Sequence, residues 1–399
     1  MANITQTRLP YRTCRLRPGG RARTRGYFRM LVKGRETEAR ECFVPVSGET
    51  PIIAWQTGPD AIVSIDEGDA AIEPLGCSAS SLAWLRRRFT AMNRTVLKFD
   101  CVEIFPEGPK SRTRDYRKLV KSARAARMPF DGVFSRANPE LVLGWAPESS
   151  VPIAPAGPNK PAIAMAIHLH YVDLWPEIER LLGRWDTPFK LFLTLTNSNE
   201  TLEQRVRAKY SDCEIRIVEN SGRDVRPFLS LLEEGAFDAF DVVCKIHGKR
   251  SLRKGYPPLL GELVRRATYL DLIGSERQVR NILDLFESKA RLGIVGPERF
   301  RASSRHGKAS EVMGASRKAI EAMAIKMGGA VPGREYDVFA GTMFWVRPQA
   351  LAPLRGLHLA NAFAPETGLS DGALEHAVEG LFNHSVRLAG FEVVGVSAA

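Results

Sequence analysis

IVENSGRDVRPFLSLLEEGAFDAFDVVCKIHGKRS, residues 217 to 251, carries a strand, a polar turn, a helix and a second strand in succession, and it ends in a basic cluster. The run 215 to 218 is rich in β-formers, Asn220, Ser221 and Gly222 suit a turn that needs positive φ, and Asp224 is placed to cap a helix over 225 to 234. Residues 241 to 246 read as a buried strand whose carboxyl end delivers Lys245, His247, Lys249 and Arg250. The preceding strand delivers Asn220, Gly222, Arg223 and Asp224 to the same edge. In an open α/β sheet that edge is where ligands bind.

Outward from this stretch the pattern repeats. Strands are predicted over 162 to 168, 189 to 195 and 292 to 295, and helices over 173 to 185, 199 to 210, 259 to 272 and 276 to 289. Strands alternating with helices of this length predict a doubly wound, mostly parallel α/β sheet. Its strand ends carry His168 and His170, then Thr194 and Thr196, then the 220 to 224 turn, then Lys245 and His247, then Glu298. A later block adds a strand over 336 to 347 interrupted by Gly341 and Thr342, a helix beginning near Asp371 and running to about His384, and a last strand over 391 to 396.

The first part of the chain reads differently. Residues 1 to 160 hold 26 Lys and Arg against 16 Asp and Glu, whereas 161 to 399 hold 31 against 29, so most of the net charge of +12 lies N-terminal. All seven histidines lie after residue 160. We read 1 to 145 as a basic, smaller α+β domain, with a small antiparallel unit over 41 to 74, helices over 81 to 88 and 112 to 126, and a strand over 94 to 104. The basic arm 1 to 40 fits either simple solvation or an anionic membrane surface; without interleaved aromatics it does not point to nucleic acid. Prolines 147, 152, 155, 158 and 161 mark 146 to 161 as a linker, leaving 162 to 399 as the second domain.

Several function classes lack their signatures. No GxGxxG follows a strand, and neither GxxxxGK[ST] nor GxSxG occurs. Six cysteines are scattered without CxxC spacing, and neither a signal peptide nor a membrane-spanning run is legible, which places the expected location in the cytoplasm. His168 and His170 have the spacing of a metal pair, but too few strands follow for the barrel that would use them, so no metal site is expected. The basic group beside the 220 to 223 turn suits a diphosphate. Asp371 reads equally as a helix cap and as a general base.

Six segments in order resemble the rhamnan synthesis F proteins, glycosyltransferase-like enzymes of bacterial surface polysaccharides: AIHLHYVDLWPEI (166 to 178), NSGRDVRPFL (220 to 229), DVVCKIHGKRS (241 to 251), LGIVGPE (292 to 298), FAGTMFWVRPQAL (339 to 351) and LSDGALEHAVEGLF (369 to 382). The resemblance implies a GT-A-like fold and inverting transfer of L-rhamnose from a nucleotide sugar such as dTDP-L-rhamnose to a lipid-linked glycan, at the inner face of the bacterial plasma membrane. It makes the turn with Asn220, Gly222, Arg223 and Asp224 look like the donor-binding region, together with Lys245 and His247; the strand-end reading adds His168 and Lys249 as donor contacts. The 339 to 348 strand with Gly341, Thr342 and Trp345 resembles the acceptor side, and Asp371 matches the acidic position that often serves as base; from their places in the sequence we add Glu366 and His376 to the acceptor side and His170 to catalysis. Lys245 and His247 stand where related enzymes hold a divalent cation with a DxD pair, so no cofactor is expected.

Overall fold

The computed structural model describes residues 6–9, 13–25, 27–33, 40–46, 50–56, 62–66, 69–92, 97–99, 102–108 and 114, then 161–250, 258–304, 309–333, 335–366 and 372–397. The chain divides into two compact units, one of residues 1–147 with 250–267 and one of 148–249 with 268–399. The linker over 146 to 160 and nearly all of the helix expected over 112 to 126 lie outside the described residues.

Among its described residues the first unit holds two antiparallel sheets. One runs in the order Gln6–Arg8, Ile62–Asp66, Tyr27–Lys33, Arg40–Pro45. The other runs Ala70–Pro74, Thr13–Pro18, Ile52–Gln56, Val102–Pro106, Leu97–Phe99. The basic arm is therefore structured where it is described. Cys14, Leu16, Phe28 and Met30 are buried, and the arginines alternate with them along the strands. The single strand expected over 94 to 104 is a hairpin, since Leu97–Phe99 folds back on Val102–Pro106.

In the second unit, seven strands among the described residues build the central sheet: β1 (Ile163–Leu169), β2 (Lys190–Leu195), β3 (Glu214–Ile217), β4 (Val242–His247), β5 (Leu292–Pro297), β6 (Phe344–Val346) and β7 (Glu392–Val396). Their order is β3-β2-β1-β4-β6-β5-β7, parallel except for β6, which runs antiparallel to both neighbours. Helices α1 (Trp175–Leu182), α2 (Glu200–Lys209), α3 (Val225–Glu233), α4 (Glu276–Ser288), α5 (Leu374–Glu379) and α6 (Phe382–Leu388) accompany it.

Strands covered on both faces read as near-continuous apolar runs, which is why IAMAIHL and VVCKIH read as strands. Side chains alternate between two cores. Ile163, Met165, Ile167 and Leu169 of β1 join the core containing Trp175, Ile178, Val279 and Ile282. Ala164 and Ala166 face the other, with Phe228, Leu229, Phe344, Val378 and Phe382. Each large side chain removed from water here contributes about 1.5–3 kcal/mol.

Two expected elements are broken. The strand predicted over 336 to 347 is two: Asp337–Phe339 pairs with Arg301–Ser303, and only Phe344–Val346 enters the main sheet. Between them Gly341 and Thr342 take φ of 93° and 50°, which ends one strand and redirects the chain into the next. The helix expected to end near His384 is interrupted between α5 and α6 at Gly380 and Leu381.

Close packing of β5 on the Asp337–Phe339 strand depends on Gly296, where an added Cβ would lie 2.3 Å from the Phe339 ring. Gly296→Ala is expected to cost about 1–3 kcal/mol, the usual range for overpacking. Urea denaturation checks this: a lowered midpoint partly restored by Phe339→Leu is expected, and an unchanged midpoint counts against it.

Candidate functional site

Strand order reverses between β1 and β4, because β2 and β3 continue outward from one side of β1 while β4 lies on the other. Register then decides which side chains share a face. His168 pairs with His247 and with Thr194, Ala166 with Lys245, and Lys245 with Phe344. His168, Thr194, Lys245 and His247 therefore project towards α3. Cys244 pairs with Trp345 on the opposite face.

Asp224 is the centre of the cluster. It stands at the start of α3, but its side chain makes no capping bond, contrary to the expectation from sequence. Its Oδ2 instead accepts from Lys245 Nζ at 2.5 Å and from Thr342 Oγ1 at 2.6 Å, because a buried cation two strand positions before His247 needs a counter-charge more than the helix needs a cap. Lys245 Nζ also donates to the Thr342 carbonyl at 2.7 Å and to Thr342 Oγ1 at 3.2 Å, and the Phe228, Phe344 and Phe382 rings surround it. With three internal acceptors and 2% exposure, Lys245 has no N–H left for a ligand. It anchors the site floor. His247 Nε2 donates to the Gly341 carbonyl at 2.7 Å and lies 3.6 Å from Asp224 Oδ2.

These contacts set the charges. Burial opposes ionisation of Asp224, but His247, Lys245 and the hydrogen bonds from Lys245 and Thr342 together hold its carboxyl well below the usual range. Burial pushes His247 down to about 4, with Lys245 and Lys249 acting in the same direction against Asp224. His168 falls to about 4 for the same first reason, and its Nδ1 lies 3.0 Å from Thr194 Oγ1. Both imidazoles are neutral at neutral pH.

Further contacts tie the 220 to 224 turn to a distant segment. Ser221 Oγ donates to the carbonyls of Phe363 and Ala364, and Glu366 N donates to the Asn220 carbonyl. Gly222 has φ 61°, and a Cβ there would sit 2.6 Å from the Phe363 ring, so glycine is needed twice over. Arg223, at φ 53°, pairs through Nε and NH2 with Glu366 at 2.8 and 3.2 Å and through NH1 with His376 Nε2 at 2.9 Å. Lys249 Nζ lies against Gly341, 3.2 Å from where a Cβ would be.

The expected residues thus divide. Asp224, Lys245, His247, Gly341, Thr342 and Lys249 form one cluster, flanked by Asn220, Gly222, Arg223, Glu366 and His376. His168 lies beside His247 on the same face, while His170 is exposed and within 3.2 Å of Thr196 Oγ1. Trp345 is fully buried on the far face, stacked on Trp185 and donating to the Leu272 carbonyl, so it does not reach the cluster. Asp371 lies outside the described residues. Among the described residues no group of three or more His, Cys, Asp or Glu is placed to hold a metal ion.

Sequence reading missed Glu379, at the end of α5. Burial first, and the Asp224 charge second, push its carboxyl up to about 7 against Lys249, Lys245 and Arg223. Its spacing from Glu375 and His376, four and three residues on, was the available signal.

The Asp224–Lys245 pair gives a direct test. Lys245→Met leaves a buried carboxylate without its partner and is expected to cost about 3–5 kcal/mol. Adding Asp224→Asn should recover part of that loss, and a double-mutant cycle on urea unfolding measures the coupling. Additive losses would mean that the two side chains do not depend on each other.

Two curated relatives, both described as uncharacterized protein WxcX, come from Xanthomonas campestris pv. campestris strains B100 and ATCC 33913. Each is 27% identical over 239 residues, 59% of this chain and 33% of the relative, so the chain spans about a third of their length. Among solved structures, EndoMS in apo form aligns at 12% identity over 52% of this chain and 88% of its own, with a TM-score of 0.10 that carries no argument. The model of rhamnan synthesis protein F matches residues 148–389, from just before β1 to just past α6 and across every residue of the Asp224 cluster, and the chain belongs to that family.

Proposed function

We propose that the second unit is a GT-A-like glycosyltransferase that moves L-rhamnose, or a related deoxysugar, from a nucleoside diphosphate to a growing bacterial surface polysaccharide. The observation that carries this reading is a polar cluster at the point where strand order reverses, the place where open α/β sheets bind ligands, inside the segment matched by the family. The reaction replaces the bond from the anomeric carbon to phosphate with one to an acceptor oxygen, inverting that carbon. Negative charge grows on the departing diphosphate, and cations fixed beforehand in a site that excludes water stabilise it most. Lys249 is the cation beside the Gly341 turn, and the buried Asp224–Lys245 pair holds that turn in place. His168 and His247, both neutral, suit contacts to sugar hydroxyls.

One observation favours a second reading. Lys245 and Arg223, which the sequence pointed at phosphate, are paired to Asp224 and Glu366. A carbohydrate-binding assembly protein that keeps the fold without turnover would look like this. Purified protein assayed for hydrolysis and transfer over a panel of sugar nucleotides, with and without EDTA, separates the two. Turnover of a rhamnose donor that persists in EDTA is expected. Inertness towards every donor would favour the binding protein, and activity abolished by EDTA and restored by Mg or Mn would make the reaction metal-dependent.

The same reading places the protein at the cytoplasmic face of an anionic membrane, where lipid-linked acceptors reside. The charge excess of residues 1 to 160 supports this, each Lys or Arg contributing on the order of 1 kcal/mol near such a surface. So does the helix Cys77–Met92, which leaves Leu82, Trp84 and Leu85 exposed immediately before Arg86, Arg87 and Arg88 in the sequence. No helix among the described residues is long and apolar enough to cross a membrane. Vesicle co-sedimentation is expected to show binding to anionic lipid that weakens with salt and with Trp84→Ala. Equal, salt-insensitive binding to neutral vesicles would rule out this role.

A further inference from the structure

Transfer of a sugar to a hydroxyl requires a base, and the described carboxylates around the site are not equally available for it. Asp224 is committed to Lys245 and Thr342, and Glu366 to Arg223. Glu375 Oε1 lies 3.9 Å from the Arg223 guanidinium. On the same helix, Glu379 follows Glu375 by four residues and His376 by three, which puts all three on the face that meets Arg223. Glu379 makes no hydrogen bond or ion pair among the described residues, and its charge is felt at Asp224, Lys245, Lys249 and Arg223. A carboxylate bound by two guanidinium donors is a poor proton acceptor. A carboxylate facing the same cations at longer range, and held by none of them, keeps its basicity.

We infer that Glu379 is the catalytic base of the proposed transfer, an assignment that rests on the glycosyltransferase reading. As the acceptor oxygen bonds to the anomeric carbon, its hydroxyl proton passes to a Glu379 carboxylate oxygen. The bond from that carbon to the phosphate oxygen breaks, and its electron pair leaves with the nucleoside diphosphate. The proton returns to water when the product departs, so no oxidant, reductant or further reactant is consumed.

The surroundings also set its pH behaviour. Burial and Asp224 favour the protonated form; Lys249, Lys245 and Arg223 oppose them, and the balance lies near 7. Glu375 and His376 lie on its own helix, Glu366 on the paired segment, and the buried Tyr336 hydroxyl sits 2.5 Å from where a Cβ at Gly380 would be. Because a carboxylic acid cannot accept the proton, kcat/KM should rise with pH through about 7 and then level.

The test compares Glu379→Gln, Asp371→Asn and wild type in the full chain, against whichever sugar nucleotide wild type turns over. Glu379→Gln is expected to keep donor binding, to lose about 10²- to 10⁴-fold in transfer and to lose the acid limb of the profile. Loss confined to Asp371→Asn, with Glu379→Gln at the wild-type rate and profile, overturns the assignment but leaves the transferase reading standing. A wild type inert towards every donor overturns that reading and the assignment with it. Should the Gln variant fail to fold, Glu379→Asp keeps a carboxylate one methylene further back; reduced transfer with the acid limb retained is then expected, and an unchanged rate overturns it.

Discussion

A buried ion pair closes the second unit of this protein. Lys245 and Asp224 are both almost inaccessible to water, and either alone would impose the desolvation cost of an unpaired charge, several kcal/mol. Together they satisfy each other only if Thr342 arrives from a third part of the chain to accept from one and donate to the other. Thr342 arrives in a left-handed conformation that a β-branched residue disfavours by about 1–3 kcal/mol. Its hydrogen bonds offset that strain. The site floor is therefore a place where three segments agree on one geometry, and neighbouring side chains inherit their positions from it.

The electrostatic result is a separation of two carboxyls. Asp224 is driven down by the cations that touch it, and Glu379 is driven up by burial and by the Asp224 charge. Groups pushed apart in this way take different roles, one fixed as an anion and the other able to exchange a proton near neutrality. The neutral His168 and His247 between the strand ends add polar contacts without adding charge.

Much of the sheet was legible because buried parallel strands announce themselves as apolar runs. The spans expected over 162 to 168, 241 to 246 and 391 to 396 fall within a residue or so of Ile163–Leu169, Val242–His247 and Glu392–Val396. Alternation also placed Lys245 and His247 on one face. What it could not reveal was the partner of each charge. Asp224 carries every mark of a helix cap, and only the arrival of Thr342 and Lys245 beside it redirects its oxygen. Trp345 reads as a site aromatic until the antiparallel entry of β6 puts it in register with Cys244 on the far face. The described strands of the first unit were hard to read for another reason: arginines alternate with their apolar residues, and the same composition suits a solvated arm.

The reversed strand has a consequence in time. Because β6 runs against its neighbours, the chain must come to the carboxyl edge of the sheet before entering it, and this is how Thr342 meets residues made much earlier. Asp224 and Lys245 are 21 residues apart in the chain, but Thr342 follows Lys245 by 97. At a synthesis rate of roughly 5–20 residues per second, that gap is on the order of 5–20 seconds. Through that interval Asp224 and Lys245 lack the third member of their cluster, and β4 lacks the neighbour that pairs with one of its edges. Until β6 seals that edge, the nascent second unit exposes a strand that could pair with another chain.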